Sequence, residues 1–259
     1  MTASPVPARD EILARLTGYL TPEPPRFRGE AEPLPTVPMT VTDAPSGDAT
    51  LAAMFGSRLE DVQGTYEIVD RPGDAAEHIA QRIRLWCPPP PSHPRGDDRS
   101  GTCTQVLAWA PDEIGVPNLE NRLRESNIEL LVPGDLHEAG VRHKAAGLSV
   151  GITGVDAAFA STGSVVLASG KGKSRSASLL PLHHLMIVPA SRIYPTFEDW
   201  LRTLRQAGEL ENFLRHNAQV AFVTGPSKSA DIELNLTLGV HGPKVVHAIV
   251  VDDGTPTGS

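Results

Sequence analysis

Aromatic side chains are scarce in this sequence, at 5% of 259 residues, while the hydrophobic share is 40%. A core built from it is packed mainly from Leu, Val, Ile and Ala, which reach native density without large rings. Cysteine is scarcer still. Cys87 and Cys103 are the two present, and they form no CxxC pair and no set of four thiolates for an iron–sulfur cluster. They flank a loop that a disulfide could close, but two free thiols are the expected state in a reducing compartment. No run of eighteen or more apolar residues occurs, so no membrane-spanning helix is expected. The first ten residues carry Pro5 and Pro7 and lack the basic-then-apolar order of an export signal, which points to the cytoplasm. Net positive charge is also lacking. A formal charge of -8 argues against a general role on nucleic acid or anionic membrane. There is no GxGxxG, no G-x-S-x-G elbow and no HExxH. Gly172-Lys173-Ser174 resembles the tail of a phosphate loop, but Leu167 stands where its upstream glycine belongs.

What is present divides into three stretches. Residues 1–49 hold an amphipathic helix over 8–20 and then an arm rich in proline, from Pro22 to Pro45, where neither helix nor strand interior is comfortable. Residues 50–253 form the main domain, and 254–259 a tail. Within the domain, helices are expected over 50–60, 74–85, 118–126, 135–146 and, as one long helix, 195–216. Strands are expected over 65–69, 104–109, 128–132, 148–153, 164–168, 185–189, 220–223 and 245–251. Asp156–Ala160 reads as a short helix or turn, and 88–101 as a polar proline-rich surface loop. Asp74 and Glu77 have the spacing of a capping pair. Short β-branched runs alternating with helices indicate an α/β fold with a mostly parallel sheet flanked by helices.

Three loop clusters could carry chemistry. The first is Thr153-Gly154 with Asp156, followed by Thr162-Gly163-Ser164. Its glycines permit close approach of backbone to a ligand, and its amides and hydroxyls could hold an anion. The second is Gly225-Pro226-Ser227-Lys228, with Asp231 and Glu233 beyond. It follows the strand ending at Val223, a strand-end position where open α/β sheets bind ligands. The third is His241-Gly242, whose imidazole could move a proton near neutrality. Tight turns with capping side chains account equally well for the first two, and a structural histidine for the third. His183-His184 does not make a metal pair, because adjacent strand side chains point to opposite faces. Lys171, Lys173 and Arg175 form a local basic patch.

Taken in order, Gly151-Ile152-Thr153-Gly154-Val155-Asp156, Thr162-Gly163-Ser164, Ser178-Leu179-Leu180-Pro181, Gly225-Pro226-Ser227-Lys228-Ser229-Ala230-Asp231-Ile232-Glu233 and Gly239-Val240-His241-Gly242-Pro243 resemble the motifs of the LUD-domain family. The resemblance spans about residues 50–253 and not the proline-rich arm. It departs at Val155, where the family often has Ala, and at Lys228-Ser229, where it has Arg-Thr. Lys keeps the cation but not the planar fork. The resemblance implies a fold of the NagB/RpiA/CoA-transferase-like group. It also implies a non-redox subunit or accessory protein of an iron–sulfur-dependent system that oxidises L-lactate to pyruvate. This chain would carry no cofactor, the Fe–S clusters residing on partner subunits. Its pocket would hold a small carboxylate or other anion on Thr153, Gly154, Asp156, Thr162, Gly163, Ser164, Gly225, Ser227, Lys228 and Gly242. His241 with Asp231 or Glu233 would handle protons. An independent CoA-transferase-like or isomerase-like enzyme and a scaffold module remain the competing readings, and a homo-oligomer is left open.

Overall fold

Short runs of Val, Ile, Leu and Ala without interior charge suit strands buried on both faces, and such strands pair in parallel. The computed structural model describes residues 9, 12–15, 50–87, 104–134, 139–230 and 236–254. Among them are twelve strands. They are β1 (Thr65–Val69), β2 (Gln105–Ala108), β3 (Glu129–Leu131), β4 (Val150–Thr153), β5 (Ala157–Phe159), β6 (Ser164–Ser169), β7 (His183–Pro189), β8 (Ile193–Tyr194), β9 (Gln219–Val223), β10 (Lys228–Ala230), β11 (Leu236–Leu238) and β12 (Val245–Val251). Eight α-helices accompany them within residues 50–254: α1 (Leu51–Asp61), α2 (Ala75–Trp86), α3 (Pro111–Ile114), α4 (Leu119–Glu125), α5 (Ala139–Ala146), α6 (Ser176–Leu179), α7 (Phe197–Gln206) and α8 (Leu210–His216).

Six strands make one all-parallel sheet in the order β1-β12-β7-β4-β2-β3. Register assigns its faces. Thr65, Glu67 and Val69 lie beside His247, Ile249 and Val251, and α2 covers that face. Tyr66 lies on the other face against α1, where a Cβ added to Gly56 would fall 2.1 Å from the Tyr66 ring. Phe55, Leu59, Ile79, Ile83, Ile152, Leu185, Ile187 and Ile249 are buried between these layers, each contributing roughly 1.5–3 kcal/mol by leaving water. A second sheet, β8-β5-β6-β9, is antiparallel at β5/β6 and β6/β9. It carries its own small core of Ala157, Phe159, Val166 and Trp200. β10 and β11 form an antiparallel hairpin.

The α/β fold with a largely parallel, helix-flanked sheet is as expected, but four local expectations fail. Residues 157–159 are strand β5, because their Ala-Ala-Phe side chains are wholly buried between β6 and β8. The long helix expected over 195–216 breaks into α7 and α8 at Gly208, whose φ of 71° an α-helix cannot hold. Asp74 precedes α2 but makes no capping bond, since its carboxylate pairs with Arg71 at 2.9 Å. Cys87 is disulfide-bonded, against the expectation of free thiols. The chain's other cysteine, Cys103, lies outside the described residues, as do the 88–101 loop and nearly all of the arm. A disulfide also weakens the thiol half of the argument for a reducing compartment. The chain divides into two units, Met1–Thr40 and Val41–Ser259. In the first, residues 9 and 12–15 are helical.

Candidate functional site

The second and third sequence clusters meet. Ser227 N–H donates to the Pro243 carbonyl at 2.8 Å, and Gly239 N–H donates to the Ser227 carbonyl at 2.9 Å. Gly242 faces the Ser227 side chain, so closely that an added Cβ would lie 3.2 Å from the Ser227 Cβ. The Gly225–Lys228 turn and the Gly239–Pro243 loop are thus closed on one another at the base of the β10–β11 hairpin. Lys228 and His241 both stand exposed on this closure. Asp231 and Glu233 lie outside the described residues.

Part of the first cluster joins them. Thr162 Oγ1 donates to Ser164 Oγ at 2.9 Å, and Ser164 Oγ meets Thr224 Oγ1 at 2.7 Å. The glycines here serve backbone contact. Gly163, at φ 66°, would place a Cβ 2.4 Å from the Leu59 amide nitrogen, and Gly225, at φ 74°, would place one 2.8 Å from the Val62 carbonyl oxygen. Both turns therefore clamp the end of α1 and the turn after it.

The location differs from the sequence argument. β9, which leads into Gly225, belongs to the antiparallel sheet and not to the parallel one, so the carboxyl-end rule for open sheets does not apply to it. Lys244 and Val245 N–H groups both donate to the Leu182 carbonyl, just before β12 and β7 begin. The converged turns therefore sit at the amino edge of the parallel strands.

Thr153, Gly154 and Asp156 are placed elsewhere, at the carboxyl end of β4. Thr153 Oγ1 bonds His184 Nε2 at 2.9 Å in a fully buried pair. Gly154 backs onto the Glu113 carbonyl, 2.5 Å from where a Cβ would be. Asp156 accepts from Ala168 N–H at 2.7 Å and from Lys173 Nζ at 2.6 Å, while Lys173 lies 5.3 Å from the Trp109 ring centre. This salt bridge secures the 170–174 turn, where Gly170 and Lys173 pair, and leaves Lys173 engaged inside the protein. Asp156→Ala should cost about 1–3 kcal/mol by removing the nearer partner of that ammonium, which keeps Glu113 at 3.5 Å, and by leaving the Ala168 amide without its acceptor. Urea unfolding of the variant beside Lys173→Met and the double variant checks it. A double variant no worse than either single one identifies the pair.

One constellation escaped the sequence reading. His247, 1% exposed, meets Thr65 Oγ1 through Nδ1 at 2.7 Å and Glu67 Oε1 through Nε2 at 3.3 Å. The hydrogen bond from His247, against the opposing effect of burial, holds the Glu67 carboxyl down at about 2, with Arg82 and His78 adding to it. Burial lowers the His247 pKa while Glu67 opposes that. Burial prevails, and the almost wholly enclosed imidazole is neutral. Trp86 stacks on His183 at 5.0 Å and meets His247 edge-on. The available signal was one polar residue in phase with the apolar inward positions of 245–251, and it means nothing until the strand beside it is known.

Among the described residues no group of three or more His, Cys, Asp or Glu is placed to hold a metal ion, and no helix is long and apolar enough to cross a membrane.

Comparison with known proteins completes the description. Relatives named lactate utilization protein C are similar to this chain. The one from Halalkalibacterium halodurans is 38% identical over 153 residues, covering 57% of this chain and 63% of the relative. That from Exiguobacterium is 42% identical over 151 residues, 58% of each chain. The chain thus spans less than two-thirds of the length of these relatives. A crystal structure of a DUF162-family protein from Deinococcus radiodurans is similar with a TM-score of 0.52, covering 80% of this chain and 99% of that one, at 18% identity. At that identity the likeness is one of fold. The LUD domain profile matches residues 55–251, most of the chain and all of the parallel sheet, and the chain belongs to the LUD-domain family.

Proposed function

We propose that this chain is the non-redox component of a cytoplasmic, iron–sulfur-dependent system that oxidises L-lactate to pyruvate. The names of its relatives point to lactate utilisation, and the family resemblance supplies the reaction. Oxidation of lactate to pyruvate releases two electrons and two protons. The electrons pass to Fe–S clusters on partner subunits, and this chain binds and presents a small carboxylate. The finer fold relationship in this reading is to the NagB/RpiA/CoA-transferase-like group, with residues 50–253 as the LUD domain and 1–49 as an appended arm.

The observation that carries the site is the closure of Gly225–Lys228 on Gly239–Pro243 through Ser227. It joins the turn that carries Lys228 to the loop that carries His241, and both residues are exposed. A carboxylate there would take a charge-assisted hydrogen bond from Lys228 and a hydrogen bond from His241, and Asp231 or Glu233 would exchange the proton.

Lactate-dependent electron transfer by the chain reconstituted with its iron–sulfur partners is the test. Lys228→Gln combined with His241→Ala should lower the rate at least about tenfold, with thermal stability unchanged because both side chains are exposed. Lactate oxidation by the isolated chain would overturn the subunit reading. Full activity of the double variant would remove the site.

A further inference from the structure

At the opposite edge of the parallel sheet lies a cavity that none of these residues uses. Its volume is about 240 Å³. Ile187 and Val251, near the last residues of β7 and β12, form its floor, and Ile114 and Val116 wall one side. Ser191, Arg192 and Asp253 supply its polar groups.

Those groups are held. Asp253 accepts from Ser191 N–H at 3.1 Å and from the Ser191 hydroxyl. The Arg192 guanidinium donates through one terminal nitrogen to the Val155 carbonyl, and a guanidinium has further N–H donors. A fixed cation and a fixed carboxylate thus share the rim of an apolar floor. Such a site matches a small molecule with a carboxylate, a hydrogen-bond donor beside it and a short alkyl group. Its position fits the rule that open parallel sheets bind ligands beyond the carboxyl ends of their strands.

We propose that this cavity binds a short α-hydroxy carboxylate. The carboxylate lies on Arg192, the hydroxyl donates to Asp253, and the alkyl group rests on Ile187 and Val251. The paired charges come from the cavity itself. The preference for a hydroxy acid over an amino acid rests on the proposed function.

Calorimetric titration of the full chain with L-lactate, propionate and L-alanine tests it. L-lactate should bind with a Kd of roughly 1 mM or tighter, ahead of both propionate and L-alanine. Arg192→Gln should weaken it about tenfold, and Val116→Phe, which fills the cavity from its wall, should abolish it. Asp253→Asn should narrow the gap between L-lactate and propionate. These titrations use the Lys228→Gln, His241→Ala background, so that a carboxylate held on that turn pair does not contribute. No L-lactate binding, tighter binding of L-alanine, or binding kept in full by Arg192→Gln would each overturn the assignment. The electron-transfer assay with partner subunits judges the proposed function separately. Activity there without binding here would fell this inference alone.

Discussion

Gly151→Ala should destabilise the protein by about 3 kcal/mol or more, seen as a marked fall in the urea midpoint. Gly151 occupies β4, between β2 and β7, where it pairs with Leu107 on one side and His184 on the other. A Cβ there would lie 1.9 Å from the Ala177 carbonyl oxygen and 2.8 Å from the Pro181 ring. The first of these atoms is backbone, in α6, and cannot rotate away. Relief requires lifting α6 from the sheet or displacing a central strand. Either movement opens the buried space that Ala177 fills and adds a cavity cost to the clash. Gly73→Ala is the matched control, since a Cβ there meets nothing within 4 Å. A Gly151 variant as mild as this control would mean that α6 does not pack on β4 as described.

The same glycine shows how far the sequence could be read. The strand containing it was legible, as were β1 and β12, because uninterrupted apolar runs bounded by turn residues have few other solutions. What lies above Gly151 was not. A glycine in a strand signals close approach of something, and the approaching helix, Ser176–Leu179, is one turn of Ser-Ala-Ser-Leu with no periodicity to detect. β8, at two residues, is likewise below any periodic signal. The break at Gly208 was read through because Leu210, Phe213 and Leu214 continue an apolar composition across it.

At the candidate site, sequence order brought to notice loops that do meet in space and misjudged their surroundings. Gly163 was recognisable as a glycine that permits close backbone approach, and Gly225 as part of a strand-end turn. That they clamp Leu59 and Val62 depends on contacts across more than a hundred residues of chain. Placing the 225–228 turn at a carboxyl end assumed that β9 belonged to the parallel sheet. Strand order decides that point, and hydrophobic pattern does not encode strand order. Thr153 was noticed for its hydroxyl, but its partner His184 was weighed with its sequence neighbour His183, from which the strand's alternation separates it.

His184 should make the protein acid-sensitive well above the range where its carboxylates titrate. It is fully buried. Nε2 is bonded to Thr153, and Nδ1 has no hydrogen-bond partner. Burial lowers its pKa from 6.5 to about 4, so the fold holds the imidazole neutral while the unfolded chain takes up a proton near 6.5. The contribution is therefore intact above pH 6.5 and is lost as pH falls through about 4, amounting to about 3 kcal/mol between pH 7 and pH 4. Glu67 acts in a different window. Held first by its bond from His247 to about 2, it retains its contribution down to about pH 4.5 and loses it only toward pH 2. Burial of His247 and His183 acts in the same direction as that of His184, so wild-type acid sensitivity alone does not isolate one ring. His184→Gln does: it keeps an amide that can meet Thr153 Oγ1 and removes the titration. Urea unfolding at pH 7, 5.5 and 4.5 should show a clearly shallower loss for this variant than for wild type, whatever its absolute stability at pH 7. Parallel pH profiles would mean that the folded protein accommodates a charged His184, and that water or a partner reaches Nδ1 inside the sheet.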